Sequence, residues 1–289
     1  MFNTTIATQI YAKICFEATN SQKKIIENLS EYLSGDDFSR IFVLNGFAGT
    51  GKTTLIAAVV AALKELRIKP VLLAPTGRAA KVLARYCWEQ ALTIHKRIYR
   101  QRTNADYESK FSLDFNREQG AVFIVDEASM LSDSTGDGAL FGSGSLLEDL
   151  VSYVRSGRGC RLILVGDSAQ LPPVGCDFSP ALDPATVSRY GEVVYGLMDE
   201  VVRQQMQSGI LFNATLVRCM LENRIYEIPK FEMDYPDFES VEGGDFMEKL
   251  QDAFDRYGRD EVIVITRSNK RANRYNEGIR RYILSAEEE

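Results

Sequence analysis

Apolar and polar positions alternate along this chain in two distinct rhythms. Four short, continuous apolar runs, 41–44 (IFVL), 71–74 (VLLA), 121–125 (AVFIV) and 162–165 (LILV), predict strands buried on both faces. Between them the spacing lengthens to that of a helix. Residues 52–67 carry Leu55, Val59, Ala62, Leu63 and Leu66 on one stripe and stop before Pro70. Residues 78–90 repeat the pattern with Val82, Leu83, Tyr86 and Cys87, and the Ser145/Glu148 spacing of a capping box opens a third helix with Leu146, Leu147, Leu150, Val151 and Val154. Strand and helix in alternation imply an α/β fold with a doubly wound parallel sheet.

A fifth apolar run, 193–197, closes this unit near residue 200. Beyond it the pattern predicts a helix over 210–221, an acidic irregular stretch, and a helix over 246–257 ended by Gly258. A strand over 262–265 and a helix over 268–284 follow, the start of a second α/β unit. The expected organisation is a first domain at 1–203, with a small hairpin inserted near 100–117, and an incomplete second domain at 204–289. The Gly/Ser-rich stretch 134–145 reads as a mobile connector.

Four places where a strand run ends carry chemistry. The segment 46–53, GFAGTGKT, matches G-x-x-x-x-G-K-[ST] between a predicted strand and a predicted helix. A phosphate chain needs inward-pointing backbone N–H groups, which a Gly-rich turn allows without Cβ clashes, together with a helix N-terminus. Gly46, Gly49, Thr50 and Gly51 supply the turn, Lys52 a cation for the β/γ oxygens, Thr53 a hydroxyl for Mg²⁺, and Thr54 the next helical N–H. ATP or GTP is therefore the expected ligand. The run 122–125 delivers Asp126 and Glu127 to the same sheet edge, where ligands of open α/β folds bind. Asp126 suits holding Mg²⁺, and Glu127 suits orienting an attacking water as general base. In LVGDSAQLPP (164–173), Gln170 is placed either to reach the γ-phosphate or the lytic water, or simply to lie exposed in a Pro-terminated turn. In APTGRAAK (74–81), Pro75, Thr76, Arg78 and Lys81 offer backbone, hydroxyl and cations suited to a sugar-phosphate backbone, or a plain helix cap.

Taken together, GFAGTGKTT, APTGRAAKVL, FIVDEASM and VGDSAQLPPVG, in this order and spacing, resemble the superfamily 1 DNA helicases of the RecD-like and Dda-like 5′-to-3′ branch. That resemblance implies a RecA-like P-loop NTPase domain followed by part of a second. It also implies movement along single-stranded DNA driven by hydrolysis of Mg-ATP. It gives Arg203, in LMDEVVRQ (197–204), the role of reaching the γ-phosphate, so that Lys52, Glu127, Gln170 and Arg203 form the catalytic set. Thr93 and His95 resemble a small DNA-contacting motif. Thr266, Arg267 and Asn269, in VITRSNKRAN (264–273), resemble a DNA-touching segment of the second domain. Gln22 resembles an adenine-reading glutamine; equally, its spacing from Thr19 is that of a capping box. Within the 100–117 insertion, Phe111 and Phe115 are candidate base-stacking residues. The family carries two further motifs after 265, with a second arginine finger. Their absence implies an incomplete second domain and weak turnover for these 289 residues.

Charge and cysteines refine this without redirecting it. The net charge of −6 argues against a surface that grips nucleic acid everywhere, yet residues 78–102 hold seven cations and one acid, Glu89. Five scattered cysteines without a CxxC pair make a zinc or disulfide framework improbable, and a reducing cytoplasm is the expected location. No signal peptide or membrane-spanning run is evident, so no membrane partner is expected. A regulatory GTPase is disfavoured because Asn269-Lys270 is followed by Arg-Ala rather than completing N-K-x-D. The alternative that remains is a non-motor P-loop ATPase subunit of a nuclease or relaxase complex. A nuclease or a replication or recombination protein is the corresponding candidate partner, with DNA repair or recombination as its setting.

Overall fold

The computed structural model describes residues 2–103, 109–133, 141–200 and 208–283. Each apolar run becomes a strand: β1 (Ile41–Gly46), β2 (Pro70–Ala74), β6 (Val122–Val125), β7 (Arg161–Gly166) and β8 (Val193–Met198). A three-residue edge strand, β3 (Ala91–Thr93), joins them. All six run parallel in the order β3-β2-β6-β7-β1-β8. Register aligns the strand ends: Gly46 lies opposite Met198, Asn45 opposite Gly166, Ala74 opposite Thr93 and Val125 opposite Leu164. A parallel sheet needs a crossover between neighbouring strands, so every motif loop emerges at one edge.

Alternate residues of each strand enter two apolar layers, as the two-residue period of a strand dictates. On one side Phe42, Leu44, Ile124, Ile163 and Val165 pack with α1 (Phe2–Lys13), α2 (Asn20–Ser34), α3 (Lys52–Glu65) and α4 (Gly77–Cys87). On the other Ile41, Val43, Leu73, Phe123 and Leu164 pack with α5 (Ile94–Ile98), α6 (Leu146–Ser156) and α7 (Pro184–Val187). Tyr32 fastens α2 to β7: its buried hydroxyl donates to the Leu162 carbonyl (2.8 Å) and accepts from the Leu162 amide (3.1 Å).

Within 100–117 the chain forms an antiparallel pair, β4 (Tyr99–Thr103) with β5 (Ser109–Leu113); residues 104–108 lie outside the described residues. Phe115 is exposed, and one face of the half-buried Phe111 ring is stacked on Phe141 at 4.5 Å between centroids. The described part of the Gly/Ser-rich stretch is tied down rather than loose. Ser143 donates its amide to Asp149, and Ser145 caps α6 by accepting from the Glu148 amide. Residues 134–140 lie outside the described residues.

The chain divides into a compact unit of residues 1–206 and 214–226 and a second of 207–213 and 227–289. Helix α8 (Gly209–Glu222) is followed by α9 (Phe246–Tyr257), which ends at Gly258 with φ +85°, and α10 (Asn269–Gly278). The strand expected over 262–265 does not form. A strand exists by pairing, and no described residue pairs with this run, which leaves Ile263 and Ile265 exposed. The helix expected to reach 284 changes at Ile279 into a single wider π-type turn, Ile279–Ile283.

Candidate active site

The loop after β1 is shaped by what its glycines avoid. A Cβ on Gly46 would lie 2.9 Å from both the Lys52 side chain and Met198, so only glycine lets Lys52 fold across the loop. Gly51, the N-cap of α3, sits in the left-handed region (φ +85°) and leaves the first helical N–H groups free of any side-chain cap. Lys52, largely buried, donates from Nζ to the Gly46 carbonyl and to the Phe47 carbonyl (3.0 Å). Its ammonium lies 3.9 Å from Asp167 at the end of β7. Burial lowers the Lys52 pKa, and the charges of Asp167, Glu127 and Asp126 oppose that.

Asp126 and Glu127 leave β6 at the same edge. Burial raises both carboxyls above their ordinary range; the neighbouring Asp126 charge pushes Glu127 further, while Lys52 pulls both down. Glu127 adopts φ +54°, a left-handed conformation that is costly outside glycine and clusters at functional sites. Its amide is held by the Asp126 carboxylate (3.0 Å), and Gln170 donates to its side chain. The Gln170 oxygen accepts from Ser129 (3.3 Å), so Gln170, exposed in a turn, bridges Ser129 and Glu127.

Gln22 makes the complete capping box with Thr19, and its amide also donates to the Thr50 carbonyl (3.0 Å) while fully buried. Thr50 is buried with its hydroxyl on the Phe47 carbonyl; Thr53 is half-buried and Thr54 exposed. Among the described residues no group of three acidic, His or Cys side chains forms a metal cage. The donor set nevertheless fits Mg-nucleotide: a free helix N-terminus, one lysine, the Thr53 hydroxyl and the Asp126 carboxylate match an ion that takes most ligands from phosphate and water.

Two sequence candidates for DNA contact are helix caps. Thr76 accepts from the Ala79 amide to open α4, and Thr93 from the Lys96 amide to open α5. Each hydroxyl keeps its own proton for another acceptor. Pro75 precedes Thr76, and Arg78 and Lys81 lie exposed on α4. His95 packs edge-on against Phe141 (5.1 Å) and near Tyr99 (5.6 Å), and burial lowers its pKa, which favours the neutral ring. In the second unit Thr266 donates to the Ser268 carbonyl, while exposed Arg267 and Asn269 flank Ser268, the N-cap of α10. Arg203 lies outside the described residues.

The profile of the AAA domain family matches residues 17–211, more than half of the chain. The chain belongs to the AAA domain family. It is 33% identical over 135 residues to the ATP-dependent RecD2 DNA helicase of Deinococcus radiodurans, covering 47% of this chain and 16% of that protein. It is 33% identical over 136 residues to the ATP-dependent DNA helicase dda of Enterobacteria phage T4, covering 45% of this chain and 28% of that protein. The chain thus spans less than a third of either relative. The Pif1 helicase from Bacteroides in complex with ADP-AlF3 and ssDNA aligns over 86% of this chain and 58% of its own at 17% identity, with a TM-score of 0.47. The resemblance to RecD-like and Dda-like superfamily 1 helicases holds.

In this AAA domain two further residues organise the site. Asn45, buried at the end of β1, donates to the Ser168 hydroxyl (2.9 Å) and the Tyr195 hydroxyl (3.0 Å) and accepts from the Ser168 amide (3.0 Å). It thereby ties the phosphate loop to β7 and β8. Its only sequence signal is a polar residue ending an apolar run. Glu200 accepts from the Asn20 and Ser21 amides (3.2 and 2.9 Å), capping α2 from 180 residues away. No local pattern announces that contact.

Proposed function

We propose that this chain is the ATP-binding part of a DNA helicase that couples hydrolysis of Mg-ATP to 5′-to-3′ movement on single-stranded DNA. The observation that carries the reading is convergence: Lys52, Asp126, Glu127, Gln170 and Asp167 meet beside the Gly-rich loop, on the sheet edge that also bears Thr76 and Thr93. Lys52 exchanges its carbonyl partners for phosphate oxygens. Thr53 and Asp126 hold Mg²⁺, which neutralises charge on the phosphates. Glu127, its basicity raised by burial and steadied by Gln170, takes a proton from the attacking water. Gln22, fully buried, supports the loop through Thr50, and Arg203 reaches the γ-phosphate. Thr76, Arg78, Lys81, Thr93 and His95, with Thr266, Arg267 and Asn269, follow the strand. A nuclease or recombination protein is the expected partner.

Steady-state ATP hydrolysis with and without oligothymidylate tests this. We expect DNA to stimulate turnover about tenfold or more, and Glu127→Gln to cut it about 10²–10⁴-fold with ATP affinity retained. Unwinding of duplexes with a 5′ or a 3′ single-stranded tail checks direction. Hydrolysis indifferent to DNA, or near wild type in Glu127→Gln, overturns the reading.

A further inference from the structure

Helix α4 has a second face. Ala80, Leu83 and Cys87 point into the core, and at helical spacing on the opposite side lie Arg78, Lys81, Val82, Arg85 and Tyr86, all exposed. The row ends at Trp88, the C-cap, which is 89% exposed; Tyr86 is 58% exposed. Trp88 adopts φ +48° and ψ +41°, the left-handed position that glycine fills by default at a helix end. A bulky ring there costs backbone strain and recovers nothing from packing, a combination that favours a contact made outside the fold. Among the described residues none of Arg78, Lys81 and Arg85 is paired with a carboxylate. The neighbouring acid, Glu89, is occupied by Lys64 at 2.7 Å.

Cations interleaved with exposed rings, with the nearby acid neutralised, match a chain of phosphates carrying flat bases. A protein partner of ordinary surface would gain little from three unpaired cations. We propose that the outer face of α4, through Arg85, Tyr86 and Trp88, is a second contact site for a single strand of nucleic acid. It runs down the flank of the sheet, away from the motif edge. From Arg78 to Trp88 the helix covers about 15 Å, enough for two or three nucleotides beyond those held at Thr76. Tyr86 and Trp88 stack on bases, and Lys81 and Arg85 take the phosphates between them. The proposal rests on the DNA-binding reading above, and it carries the strand past APTGRAAKVL to Arg85, Tyr86 and Trp88, which lie in none of the helicase motifs.

Trp88 is the only tryptophan in the chain, so its emission reports this site alone. Oligothymidylate should quench that emission saturably, in step with binding followed independently by anisotropy of a labelled oligonucleotide. Trp88→Gly should keep or raise the melting temperature, because glycine relieves the left-handed strain, yet weaken strand binding about 5- to 100-fold. Arg85→Ala should lower the salt slope of binding by about one. Anisotropy that shows binding while Trp88 emission stays unchanged and Trp88→Gly binds like wild type overturns this site and leaves the helicase reading intact. No strand binding by anisotropy overturns both. Emission that ignores DNA but shifts blue with rising protein concentration assigns the face to a second copy of the chain and likewise overturns the proposal.

Discussion

The two units of this chain hold their polar residues in opposite ways. In the first, Lys52, Asp126, Asp167 and Gln170 stand at the ends of strands whose register is locked on both sides by apolar layers. Their side chains are at least partly buried or bridged, and burial lowers the pKa of Lys52 and raises that of Asp126. In the second unit Leu250 is the single buried hydrophobic side chain among the described residues, and Thr266, Arg267 and Asn269 are positioned by a local turn and the Ser268 cap. A catalytic group needs a fixed angle and a dry surrounding; a phosphate contact needs only charge within reach. The first demands a core beneath it and the second does not.

The sharpest way to break this contrast is Lys52→Ala. Three carboxylates would then face one another without their lysine, and nucleotide affinity by calorimetry should fall about 100-fold or more, roughly 2.7 kcal/mol. Arg267→Ala should leave that affinity unchanged. Equal losses would mean that the two units do not divide the work in this way.

A smaller effect separates stability from function. Asp126 has a raised pKa, so its charged form costs stability in the fold. That cost is present in full above the folded pKa and vanishes below the ordinary carboxylate value, where the group is protonated in both states. Asp126→Asn should therefore raise the melting temperature of the nucleotide-free protein by about 2–4 °C at pH 7–8. The gain should disappear as pH falls through the carboxylate range. A variant that melts lower at pH 8 would show that hydrogen bonding to the Glu127 amide outweighs burial.

The smallest expected change is in salt dependence. Arg78→Ala and Arg267→Ala should each flatten the slope of log affinity for single-stranded DNA against log salt by about one. Wild-type slopes in both would move the strand away from these residues.

How much of this was legible beforehand follows from range. The phosphate loop, the Asp126-Glu127 pair and five of the six strands were readable because each is a local pattern, an apolar run meeting a specific polar end. Strand β3 was not, since three half-buried residues carry no period and exist as a strand only beside β2. Helix α1 was missed for a similar reason: Ile6 and Ile10 mark only one turn of its buried side. Phe111 offered a ring to a base on paper, and Phe141, thirty residues on, stacks on one face of it. The run at 262–265 shows the converse, a strand-like composition without a neighbour to pair with. Asn45 and Glu200 lay beyond reach, since their partners are more than a hundred residues away.

The three hydrogen bonds of Asn45 bear on how this site opens. A side chain that grips the loop after β7 and the hydroxyl of Tyr195 at once cannot release one without loosening the other. Slow opening of these strand ends should therefore be a single event, and the Ser168 amide should exchange its hydrogen at the rate of the β1 amides rather than that of a surface loop. Loosening of this edge is then all-or-none, a clock with one tick.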